Sequence, residues 1–161
     1  MWDINELFAE GKAVIENVCG HVLPMSIDLK INYTSKRRWG QCRWKGDDFE
    51  VEISHRILDE SVEYDKALSV MIHELLHTTA PRAGHKGLWK QRAEMIMNEH
   101  PHYLITRTMS NDYFGVKEME QKYAIACTGC GYIHRSSKLS ATIKYPEKYR
   151  CKLCGKIFKR I

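Results

Sequence analysis

Apolar residues at Ile4, Leu7, Phe8, Val14, Ile15 and Val18 recur at helical spacing. The pattern predicts a helix over residues 3–18, despite Gly11. After Pro24 the period changes. Ile27, Leu29, Ile31 and Tyr33 alternate with polar residues, as in a half-buried strand. Trp39 to Trp44 reads as a second short strand. Phe49, Val51 and Ile53, alternating with Glu50 and Glu52, make a third, with Lys45-Gly46-Asp47-Asp48 as the turn between the last two. Together they predict a small antiparallel sheet. Helical period returns over residues 62–79, with Ala67, Val70, Met71 and Leu75 on one side and Ser61 as the expected cap. Residues 78–84 break that helix. A further helix is expected from Lys86 to Asn98, ended by Pro101. Residues 100–120 carry no readable period beyond a turn at Ser110-Asn111-Asp112, and read as a link. From residue 121 the pattern is strand-like and bears cysteines, with strands expected at 122–126 and 157–161.

Composition adds that this is a folded chain. Of 161 residues, 43% are hydrophobic, enough for a core and too many for a disordered segment. No apolar run approaches the roughly eighteen residues of a membrane span. The start, Met1-Trp2-Asp3-Ile4, lacks the basic-then-apolar form of a secretory signal, so a cytoplasmic location is the default expectation.

Charge divides the chain. Residues 117–161 hold eleven Lys or Arg against three Glu, whereas residues 1–116 hold fourteen basic and seventeen acidic side chains. The formal charges are therefore +8 and −3. We expect two domains, 1–116 and 117–161, the second either suited to a polyanionic partner or simply kept soluble by its charge.

Candidate chemistry lies in both parts. His73-Glu74-Leu75-Leu76-His77 sits inside the expected helix. Residues four apart share one face, so His73 and His77 can point at one metal ion, and Glu74 can reach a water beside it. Catalytic zinc takes three protein ligands and keeps one position open. His85, eight residues beyond His77 in the turn Ala83-Gly84-His85-Lys86-Gly87, is the favoured third ligand. Glu94 on the next helix is its rival. The expected reaction is peptide hydrolysis, with Glu74 as general base.

Cys127-Thr128-Gly129-Cys130-Gly131 and Cys151-Lys152-Leu153-Cys154-Gly155 share the form C-x-x-C-G. Cys127, Cys130, Cys151 and Cys154 would close four thiolates around a second, structural zinc. Around them lie Lys148, Arg150, Lys152, Lys156, Lys159 and Arg160, interleaved with Tyr132, Tyr145, Tyr149 and Phe158. Cations can neutralise phosphates and aromatics can stack on unpaired bases, so these are candidate nucleic-acid contacts. The competing view makes the aromatics a small core. Cys19 and Cys42 read as small apolar residues, and His21, His55, His100, His102 and His134 have no partner at ligand spacing.

His73-Glu74-x-x-His77 followed by Gly84-His85-x-Gly87-x-Trp89, with the C-terminal cysteine pairs, resembles the SprT-like zinc metalloprotease family, which includes Spartan-related proteins. Trp39-Gly40-Gln41-Cys42 is also similar to a W-G-x-C stretch of related bacterial metallopeptidases. Lys86 departs from the family's usual glycine. The resemblance implies an α+β, zincin-like metallopeptidase domain followed by a β zinc ribbon, with one catalytic and one structural Zn²⁺. It implies protein substrates, and makes DNA-bound or DNA-crosslinked proteins, and single-stranded or damaged DNA, candidate partners. The alternative is a non-catalytic nucleic-acid-binding module or scaffold.

Overall fold

The computed structural model describes residues 1–46, 48–82, 84–115 and 121–161. The chain is α+β and divides into two compact units, 1–116 and 117–161. The 116/117 boundary itself, with the link residues 116–120, lies outside the described residues, as do Asp47 of the expected turn and Ala83 before His85.

In the first unit, α1 (Ile4–Cys19) opens where the Asp3 carboxylate accepts the Asn5 N–H, and closes at Gly20. α2 (Tyr64–Thr79) starts later than its apolar pattern suggests, with Glu63 at the cap position and no capping side chain. The expected cap, Ser61, is instead held in a turn, its N–H donated to the Asp59 carboxylate at 2.9 Å. α3 spans Leu88–Glu99. Twelve of the sixteen residues of α2 are buried, because α1, α3 and the sheet all pack against it. Gly11 of α1 makes the first approach possible. A Cβ there would lie 3.2 Å from Leu75 and 3.3 Å from Met71.

β1 (Ile27–Asn32), β2 (Gly40–Lys45) and β3 (Asp48–Ser54) form the sheet in the order β1-β3-β2. β2 and β3 are an antiparallel hairpin, but β1 runs parallel to β3, pairing Ile27 with Phe49 and Ile31 with Ile53. The expectation of an antiparallel sheet is corrected to a mixed one. Alternation fixes which face a side chain takes, not the direction of the neighbouring strand. β2 forms the hairpin with β3, which leaves β1 the other edge.

Central β3 buries Phe49, Val51 and Ile53 on one face. Glu50 is also buried, and receives Lys30, Arg43 (3.0 Å) and Lys45 (2.8 Å) from both neighbours. Hydrogen bonds from Lys30 and then Lys45 hold its carboxyl down at about 2.

Residues 103–115 are not a bare link. Tyr103, Ile105 and Phe114 join the core, and Phe114 lies 4.4 Å from the Trp39 ring.

In the second unit, β4 (Tyr123–Cys127) pairs antiparallel with β5 (Ile133–Ser136) and with β6 (Phe158–Arg160). A short helix α4 (Ala141–Lys144) precedes the second cysteine pair. β5 and α4 had no readable pattern because each is only four residues long. The buried cluster is Ile125, Cys127, Ile143, Cys151 and Phe158. No helix among the described residues is long and apolar enough to cross a membrane.

Candidate functional site

α2 carries His73, Glu74 and His77. His73 and Glu74 are 8% and 6% exposed, so two ionisable side chains are buried in a helix whose other buried residues are apolar or hydroxyl-bearing. His85 comes from the turn after α2, flanked by Gly84 (φ 58°) and Gly87 (φ 53°) in the left-handed region that favours glycine. The turn brings His85 Nε2 to 3.0 Å from His73 Nε2 and 3.2 Å from His77 Nε2. Tetrahedral zinc with Zn–N of about 2.05 Å spaces its nitrogens about 3.3 Å apart. The three imidazoles therefore fit a small tetrahedral ion, with a fourth position left over.

Trp89 holds this arrangement from behind. Its rings lie 4.9, 5.5 and 4.7 Å from His73, His77 and His85, and its indole N–H faces the His73 carbonyl at 3.4 Å. One aromatic thus packs on all three candidate ligands, a role its place on the apolar side of α3 does not reveal. Burial, helped by the neighbouring histidines, lowers His73 to about 3 and His77 to about 4; burial and then Arg107 also lower His85. All three shifts favour the neutral imidazole, the form that binds metal. His73 Nδ1 is buried without a hydrogen-bond partner among the described residues. The Thr106 backbone favours its protonated form without reaching hydrogen-bond geometry.

Glu94, the rival ligand, is placed elsewhere. It is exposed and faces Lys90 at 3.6 Å along α3, outside the histidine cluster.

Glu74 meets β2. A Cβ at Gly40 would lie 2.6 Å from both Cγ and Oε1 of Glu74, so only a residue without a side chain fits there. Burial pushes the Glu74 carboxyl up to about 8, against the opposing pull of the Cys42 backbone N–H and the Arg38 charge. The Cys42 thiol is pushed up to about 12 by burial and by Glu74, which removes it as a nucleophile.

These groups line one cleft of about 470 Å³. One wall is β2, a second is α2, and a third is Thr106 to Met109. The last wall was not foreseen, because no local period marks a strap whose role is tertiary. Gly40 had a readable signal, since glycine inside a strand pattern marks close approach of another group.

In the second unit the four cysteines converge. Cys127 Sγ lies 3.3 Å from Cys154 Sγ, and Cys130 Sγ lies 3.7 Å from Cys151 Sγ. Tetrahedral zinc–thiolate geometry puts sulfurs about 3.8 Å apart. Backbone N–H groups of Cys130 and Gly129 hold the Cys127 thiol low, which favours the thiolate a metal needs. A Cβ at Gly129 would lie 2.6 Å from Lys156 Cγ and 3.1 Å from Cys154 Sγ. Both clusters thus have the donor set of a metal site.

Lys148, Arg150, Lys152, Lys156, Lys159 and Arg160 are all exposed. Arg160 is tied to the Lys144 carbonyl at 2.7 Å, and Lys148 sits 4.8 Å over the Tyr145 ring. Tyr132, Tyr145 and Tyr149 are exposed, but Phe158 belongs to the small core, so it is withdrawn as a stacking surface. No protein-family model matches the chain, and no curated protein matches it in sequence.

Proposed function

We propose that the first unit is a zincin-like, SprT-like metallopeptidase domain that hydrolyses peptide bonds, and that the second is a zinc ribbon. The observation that carries this reading is the convergence of three Nε2 atoms beside a buried glutamate in one open cleft. A closed structural site would have no use for Glu74 there, nor for a cleft reaching it.

His73, His77 and His85 would hold the catalytic ion. When bound, zinc supplies a lowered pKa for water and polarises a carbonyl. Glu74 takes the proton from the attacking water and returns it to the leaving amine. Gly40 confines where its carboxylate sits, and Trp89 packs on the imidazoles.

Cys127, Cys130, Cys151 and Cys154 would hold a structural zinc. The exposed cations and tyrosines of the ribbon favour nucleic acid as a partner, and with it DNA-bound or DNA-crosslinked proteins as substrates.

The test is Glu74→Gln in the full chain. It should keep two zinc ions and lose cleavage of a DNA-binding protein by about 10²–10⁴-fold. Equal cleavage by both forms, or a single zinc abolished by cysteine substitution alone, would remove the enzyme.

A further inference from the structure

Four arginines line the cleft: Arg37, Arg38, Arg82 and Arg107. They come from three separate chain segments, before β2, after α2 and from the 103–115 strap. All four are exposed, and none has an ion-pair partner among the described residues. Arg43, within β2, shows the contrast, being neutralised by Glu50 and Glu52. Among the described residues, the Arg38 guanidinium donates to the neutral Gln41 side chain and to no carboxylate. Arg82 has φ 66°, uncommon for a residue with a side chain. Its guanidinium lies 4.1 Å over the Trp44 ring, which occupies its face and leaves its edge N–H fork free. Glu74 is the sole carboxylate lining the cleft among the described residues.

From this we infer that the four arginines are a carboxylate-binding rim, and that the polypeptide segments drawn to the site are acidic. The inference rests on the peptidase reading. A guanidinium fork matches a carboxylate in two parallel hydrogen bonds, and a lysine in the same segment would be repelled. A peptide fits better than a nucleic-acid backbone. The first unit is formally −3, so a long polyanion reaching past the rim is opposed by the unit's net charge, whereas a short acidic segment need span only the four arginines.

The experiment uses the zinc-loaded full chain with Glu74→Gln, which cannot turn substrate over. Labelled peptides of one length, with Glu, Gln or Lys around a common central pair, are titrated by fluorescence anisotropy. The Glu peptide should bind about tenfold more tightly than the Lys peptide, with the Gln peptide between, and the difference should shrink in high salt. Adding Arg38→Gln and Arg107→Gln should abolish the difference, while the Arg38→Lys/Arg107→Lys pair should retain much of it. Equal binding of the three peptides, or a preference that survives the Gln pair, overturns the rim. So does a result in which the Gln pair weakens an oligo-dT of similar length but not the Glu peptide. Cleavage of the same peptides by the wild-type chain is read separately. Acid-selective binding without cleavage keeps the rim and removes the peptidase; cleavage without charge preference does the reverse.

Discussion

Glu74 owes its position to a neighbour that lacks a side chain. Gly40 faces its carboxylate so closely that a methyl group would overlap Cγ, Cδ and Oε1, and Glu74 is too buried to swing away. Gly40→Ala should therefore move the carboxylate without touching a metal ligand. We expect zinc content to stay at the wild-type value and cleavage to fall at least about tenfold, with overpacking costing roughly 1–3 kcal/mol in thermal unfolding. Wild-type cleavage in that variant would show that the close approach has no bearing on the chemistry. At this scale much was legible. His73, Glu74 and His77 follow from one helical turn, and His85 from a turn bounded by glycines. The Gly40–Glu74 contact and the backing of three imidazoles by Trp89 were not, because residues 34 and 16 positions apart meet only after the chain folds.

Among the elements, β3 concentrates the risk. Its Glu50 is buried at the centre of the sheet and ties both neighbours to itself, through Lys30 of β1 and through Arg43 and Lys45 of β2. The carboxyl is held at about 2, below its ordinary 4.5. A depressed acid stabilises the fold fully above its unfolded value and loses that contribution as pH falls through the folded one. Stability should thus decline between about pH 4.5 and pH 2. Glu50→Gln should be less stable at pH 7, where three cations are left together, and flatter through the acid range. Chemical denaturation at a series of pH values reads both, and an unchanged acid limb would sink the assignment. Alternation in β1 and β3 was readable, but their parallel pairing was not. The length of the segment between them leaves both directions open.

The whole molecule combines two units stabilised by different means. The first has a core built from three helices and a sheet. The second has a core cluster of only five residues, two of them candidate metal ligands, so burial alone supplies little stability and a metal held by the four cysteines would add to it. Exhaustive chelation should unfold residues 121–161 while α1, α2 and α3 persist, as seen by NMR or far-UV circular dichroism. Loss of all helices together, or a ribbon unaffected by chelation, would contradict this division. The near-complete burial of α2 also bears on amide hydrogen exchange. A helix enclosed by α1, α3 and the sheet has no local opening that exposes its N–H groups, so they exchange through global unfolding. His73, Glu74 and His77 then share the lifetime of the unit itself, whereas His85, on the turn after α2, can leave the cluster without unfolding it.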